Sequence, residues 1–226
     1  MKSRDYAGIL LVICFLLGGC YTVQWPWTTT ELTTSGLTDA PVKITFATDS
    51  TYYVIEPAQV SFYSSDISLD DLAKGRKVSG QVVNIQMLWE PKPGMTPIEP
   101  TTTNISIRLV VFADGEVGVY GGGGFAWPRG KPDDGSMGLL ITGSNLSLIA
   151  RTKGFVDLLS PAEMLGTVTA SMNEGMANTI RRTASQAVTN ALGSVRWVRS
   201  DTSDATMVAS AHAYIAREDK TEFISP

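Results

Sequence analysis

Asp114-Gly115 constrains the fold of this chain more than any other pair of residues. It separates two runs of alternating character, residues 105–113 and 116–127. Asp-Gly between such runs predicts a type I′ hairpin, because both turn positions need a positive φ and these two residues tolerate it. A two-residue turn also fixes the register. Ile105, Ile107, Leu109 and Val111 should then stand opposite Gly124, Gly122, Tyr120 and Gly118. Bulky side chains on one strand thus face near-empty positions on the next. The run Gly121-Gly122-Gly123-Gly124 makes a shallow trough where another element or a ligand can approach the backbone. A phosphate cradle would need a helix to start right after the glycines. Phe125-Ala126-Trp127-Pro128 instead continues a strand and stops it, so sheet curvature or close packing is the better reading.

Further strands flank the hairpin. Val42, Ile44 and Phe46 alternate with polar residues, and residues 53–64 are extended with Pro57 marking an edge or a bulge. Residues 68–75 read as a short helix with Ser68 as cap and Gly75 as stop. In 78–90, Val83, Ile85, Met87 and Trp89 share one face and Asn84, Gln86 and Glu90 the other, the pattern of a half-buried antiparallel strand. A fourth strong strand covers about 137–151.

Ser160-Pro161-Ala162-Glu163 has the form of a helix start, and Leu165, Val168, Met172, Met176, Ile180, Ala184, Ala187 and Ala191 recur at threes and fours after it. A helix over 160–193 is predicted, about 50 Å long. Its stripe thins from Leu and Met to Ala, which suits a slender helix lying in the glycine trough. Residues 194–199 read as a returning strand, and 204–217 as either helix or strand. The expected fold class is α+β: a curved antiparallel sheet, a meander, packed against one long helix in the C-terminal half.

The N-terminus carries an address. Lys2 and Arg4 precede eleven apolar residues, 7–17, and Gly18-Gly19 follow. Eleven helical residues span about 16 Å, half a bilayer core, so the run reads as a secretory leader and not a membrane span. Leu17-Gly18-Gly19-Cys20 resembles the lipobox of bacterial lipoproteins. That resemblance covers residues 1–20. It implies cleavage before Cys20, a diacylglyceryl thioether on Cys20 and an acylated new amine; two or three acyl chains anchor stably where one does not. In the same class, Asp after the Cys tends to retain a protein at the inner membrane; Tyr21 here favours the outer membrane of a diderm cell. The organisation expected is a signal peptide over 1–19, a lipidated Cys with a Thr-rich tether over 20–41, and one domain over 42–226. Trp25 and Trp27 in the tether either sit at headgroup level or pack on the domain.

Composition narrows the function classes. The whole chain carries a net charge of −4, against a nucleic-acid partner bound through its phosphates. Two Cys and one His cannot build a Cys/His zinc site. If Cys14 leaves with the leader and Cys20 takes the lipid, a disulfide, a thiol nucleophile and a thiolate metal site are excluded too. No cofactor is implied. His212 stands alone, and the chain lacks both a nucleophile elbow and an H-E-x-x-H pair. Asp70-Asp71 and Asp133-Asp134 suit cap and turn roles, and a glycosidase carboxylate pair from distant residues stays open. Asn104-Ile105-Ser106 and Asn145-Leu146-Ser147 match the glycosylation sequon by chance.

The loops carry the remaining signal. Loops 91–103 and 128–136 should share one end of the meander, with Trp89, Met95, Ile98, Trp127, Arg129 and Lys131 as a candidate binding rim. The alternative is solvated loops with their Trp in the core. These features point to a membrane-anchored, non-enzymatic envelope protein, a scaffold or binding protein with a possible envelope protein partner. The alternatives are a carrier holding a small apolar ligand between sheet and helix, and an envelope hydrolase.

Overall fold

A computed structural model describes residues 29–57, 59–88, 103–194 and 197. Its fold class is α+β, an antiparallel meander curled into a barrel with one long helix on its outer face.

The Asp114-Gly115 hairpin forms as its sequence dictates. Strands over Ile105–Ala113 and Glu116–Arg129 pair with Ile105 opposite Gly124, Leu109 opposite Tyr120 and Ala113 opposite Glu116. Asp114 and Gly115 adopt φ of 50° and 89°, the left-handed pair that a type I′ turn requires. In chain order the strands are β1 (Thr30–Gly36), β2 (Lys43–Thr48), β3 (Thr51–Glu56), β4 (Gln59–Ser65), β5 (Gly80–Met87), β6 (Ile105–Ala113), β7 (Glu116–Arg129), β8 (Ser136–Arg151) and β9 (Ala162–Met172). A short helix α1 (Leu69–Ala73) links β4 to β5, and α2 (Glu174–Leu192) follows β9.

β3 to β9 run up and down, each antiparallel to the next. Their number is odd, so the first and last point the same way and the sheet can close only through a parallel ladder. That ladder is short, Tyr52 with Ser171 and Tyr53 with Met172. The rest of the free edge of β9 is taken by β1, from Glu31 opposite Thr167 to Gly36 opposite Ala162, and β2 pairs outside β1.

The barrel interior is filled by side chains from alternate strand positions. Val83, Ile85 and Met87 of β5, Ile105, Ile107 and Leu109 of β6, and Met137, Leu139 and Ile141 of β8 meet Tyr53, Phe62, Leu32 and Phe46 there. Residues 152–161, between β8 and β9, close one end. Phe155 and Leu159 from this strap turn inward to the core. The Asp157 carboxylate fixes the strap, accepting the Tyr120 hydroxyl proton at 2.9 Å and the Leu159 and Ser160 N–H groups at 3.1 Å each. Its burial alone would raise the carboxyl, but these donors together hold it below its ordinary value.

The second layer is α2. Asn173 caps it, its side chain accepting from the Met176 N–H, and Gly193 ends it in the left-handed region. Ala177, Ile180, Ala184 and Val188 form a buried stripe at threes and fours. They pack with Tyr63, Val82, Val110 and Val119 on the outer face of the sheet. Burying Ile180 and Val188 contributes roughly 1.5–3 kcal/mol each; the alanines contribute less but let the helix lie close.

Four expectations need correction. The helix does not span 160–193: Ala162–Met172 is strand β9, and helix begins only after the Asn173 cap. The same residues satisfy both periods, since Ala162, Met164, Val168 and Ala170 alternate as well. Gly166 at φ 136° and the β-branched Thr167, Val168 and Thr169 decide for strand. The domain does not begin at 42, because β1 lies inside the supposed tether of 20–41. Two of its four inward positions are threonines, Thr30 and Thr34, beside Leu32 and Gly36. Thr30 is wholly buried because its hydroxyl donates to the Thr169 carbonyl and accepts from the Thr169 N–H and the Thr51 hydroxyl.

The glycine trough holds no helix. A Cβ on Gly122 or Gly124 would meet the carbonyl of Asn145 or Gly143 on the adjoining β8, and one on Gly118 would meet the Phe155 ring. The glycines let β7 and β8 coil tightly together. Finally, β5 is buried on both faces, not one. Pro57, read as marking an edge or a bulge, follows the stretch of β3 that pairs with β4 alone and lies in the β3–β4 turn.

Candidate functional site

Trp127, Arg129 and Lys131 lie together where β7 passes into β8. Trp127 is half-buried and stands edge-on to Phe125, ring centres 5.0 Å apart at 86°. Arg129 is half-buried and Lys131 is exposed. The turn beyond them is pinned by backbone geometry and by one buried hydrogen bond. Gly130 and Gly135 both take positive φ around a 3₁₀ turn at Pro132–Asp134, and the Tyr53 hydroxyl donates to the Pro132 carbonyl from inside the barrel. Burial raises the Tyr53 phenol, and the carboxylates of Asp133 and Asp134 add to the shift. The other rim residues, Trp89, Met95 and Ile98, lie outside the described residues, as do Cys20 and His212.

Asn104 braces this mouth. Its amide donates to the Ala126 carbonyl at 2.7 Å and accepts from the Ala126 N–H at 2.8 Å, so one side chain supplies a further rung to the β6–β7 ladder. It is 3% exposed, and the sequon it belongs to offers no accessible nitrogen in the folded chain.

At the opposite end a groove of about 360 Å³ opens between α1, the Asp114-Gly115 turn and the last turns of α2. Such a volume lies at the small end of ligand sites. Leu72, Val78, Phe112, Val117 and Ala187 are among its apolar residues, and Arg76, Lys77, Asp114, Glu116 and Asn190 among its polar ones. Several of the charges are already engaged. Arg76 pairs with Asp71 at 2.6 Å, while Glu116 accepts from the Thr152 hydroxyl and the Gly154 N–H. What remains is a hollow of mixed apolar and polar lining, suited to holding an amphipathic group.

A third polar cluster lies on the outer face beside α2. Glu56 accepts from Gln59 at 2.6 Å and Ser61 at 3.1 Å, with Arg181 of α2 3.9 Å away. Beside it the Tyr63 phenol is pushed up to about 12, chiefly by burial and then by the Glu56 charge. Asn84 donates to the Phe62 carbonyl at 3.0 Å, and the buried Arg108 lies over Gly121, whose missing Cβ leaves room for the guanidinium. Arg181 joins this cluster to α2 through Glu56 and Tyr63. Sequence reading missed the cluster because Glu56 and Arg181 are far apart in the chain; the signal available was Asn84 and Gln86 on the outward face of β5.

Among the described residues, no group of three or more His, Cys, Asp or Glu side chains is arranged to hold a metal ion. Asp70 and Asp71 serve α1, paired with Lys74 and Arg76. No family model, curated protein or solved structure matches the chain.

Proposed function

We propose that the protein is a lipid-anchored lipoprotein of the cell envelope whose barrel domain binds a partner or ligand on its outer surface and performs no catalysis. The observation that carries the anchor is Leu17-Gly18-Gly19-Cys20 placed directly after an eleven-residue apolar run. Supporting surface binding is the filled barrel: the space enclosed by β3 to β9 is occupied by the core residues themselves. Tyr21 favours the outer membrane where the cell has two. The rim around Trp127, Arg129 and Lys131 and the groove beside α2 are the surfaces on which an envelope protein partner or a ligand would act.

The carrier alternative takes a narrower form. Where Ala177, Ile180, Ala184 and Val188 of α2 meet the sheet, the space is filled. The groove at the far end of α2, of about 360 Å³, is the place that favours a carried ligand.

Radioactive palmitate fed to cells expressing the full chain tests the anchor. Label should enter the parent protein and be lost from Cys20→Ala, which should also leave the membrane fraction. Equal labelling of both would overturn the reading.

A further inference from the structure

Four large apolar side chains project from the end of the barrel closed by the strap. Leu37 and Val42, from the β1–β2 turn, are 54% and 37% exposed; Val156 and Leu158, from the strap, are 67% and 58% exposed. The two turns are bonded into one surface. The Leu37 N–H donates to the Pro161 carbonyl at 2.7 Å, the Gly36 N–H donates to the Val42 carbonyl at 2.9 Å, and the Leu158 carbonyl lies against Gly36. The strap alternates, Phe155 and Leu159 inward and Val156 and Leu158 outward. The inward pair already closes the core, so the outward pair is not needed to fill it. The surface is also stiff, since Asp157 ties the strap to Tyr120.

Cations border it. Lys43, Arg151 and Lys153 are exposed, and Arg151 is set on the strap by donating to the Phe155 carbonyl at 3.0 Å. Of the acidic groups nearby, Asp157 is committed to the clamp, Glu116 is engaged by the Thr152 hydroxyl and the Gly154 N–H on either side of Lys153, Glu163 is half-buried and Asp39 is exposed in the β1–β2 turn.

We infer that this end is the face by which the domain rests on a lipid bilayer, with the four apolar side chains entering the headgroup boundary and the cations meeting lipid phosphates. The inference deepens the lipoprotein reading and rests on it. The geometry of the chain agrees. From Cys20 to Thr30 the extended backbone reaches at most about 35 Å. β1 runs from Thr30 to Gly36 toward the apolar end, a length of roughly 20 Å. A lipid on Cys20 can therefore enter the bilayer on which this end stands, with a little slack. So short a tether also holds the face at high effective concentration against lipid, where even weak apolar contacts are populated.

The test uses the full chain, acylated in cells and reconstituted into vesicles of three parts phosphatidylethanolamine to one part phosphatidylglycerol. Val156→Cys, on the face, and Asp134→Cys, in the β7–β8 turn at the far end, each carry an environment-sensitive fluorophore. Nitroxide lipids should quench the label at 156 severalfold more than the label at 134. Leu37→Asp with Leu158→Asp should abolish the difference while palmitate incorporation is unchanged. Equal quenching at both positions in acylated protein overturns the face and leaves the anchor standing. If no palmitate enters, the anchor falls, and the same labels on the unanchored chain at high vesicle concentration decide the face alone: selective quenching at 156 supports it, and none overturns it. A label at 156 shielded without lipid quenching, in a protein that sediments as a dimer, assigns the surface to a second copy and overturns the lipid face.

Discussion

Gly118→Ala isolates the packing beneath the strap. Gly118 lies on β7 between Val111 of β6 and Arg151 of β8, and the place where its side chain would point is held by the Phe155 ring. A Cβ there would stand 2.3 Å from two ring carbons, far inside contact distance. Alanine is otherwise the better strand residue, by about 0.5–1 kcal/mol. Overpacking a filled core costs about 1–3 kcal/mol, and here the ring can retreat only by lifting the strap from its Asp157 clamp. The net expectation is a loss of about 1–2 kcal/mol, a fall in Tm of about 2–8 °C for a domain of this size. Urea and thermal unfolding of the parent, Gly118→Ala, Phe155→Leu and the double variant measure it. The double variant should be nearly as stable as Phe155→Leu alone, a favourable coupling of about 1–2 kcal/mol. Gly122→Ala is the control, because its Cβ would meet the Asn145 carbonyl at 1.8 Å and no side-chain truncation relieves a backbone clash. A Gly118→Ala protein as stable as the parent, or strictly additive losses, would refute the argument.

Tyr63 gives an alkaline prediction. Its phenol is raised to about 12 in the fold, so its contribution is fully present below about pH 10 and is lost as pH rises from there to about 12, because the unfolded chain releases the proton first. One such group tilts stability by about 1.4 kcal/mol per pH unit, and Tyr63→Phe should remove that much slope in urea melts across this range. Asn104→Leu leaves the Ala126 N–H and carbonyl buried without their bonds and should cost about 2–3 kcal/mol in the same assay; Asn104→Asp, which keeps only the acceptor, should also lose stability. Asn173→Ala removes the α2 cap at an exposed position and should cost about 1 kcal/mol, with Asn173→Ser recovering most of it.

The hairpin was legible because its information is local: Asp114-Gly115 can make only one kind of turn, and that turn dictates every pair from Ala113–Glu116 to Ile105–Gly124. Closure was not legible. It depends on how β1 and β3 divide the edge of β9, pairings more than a hundred residues apart with no sequence mark at either end. β1 escaped notice because only Leu32 among its buried residues is a large apolar one, and Thr30 is inward only by virtue of Thr169 and Thr51. β9 was misread because residues 162–172 satisfy two periods at once. Of the candidate rim, Trp127, Arg129 and Lys131 follow one strand into its turn, which the sequence marks locally by Pro128 and Gly130. The groove beside α2 was invisible, for it joins three elements that only the closed barrel brings together.

The place of β1 has a mechanical consequence. It is hydrogen-bonded on both edges, to β2 along one and to β9 along the other, and the chain enters it at Thr30. Tension applied on the N-terminal side of Thr30 and directed along the strand must slide β1 past both neighbours, loading the two ladders in shear so that their bonds share the force. A terminal strand paired on one edge and pulled across it would peel, one bond at a time. Under such an outward pull, failure should begin elsewhere, at the two-pair seam between β3 and β9.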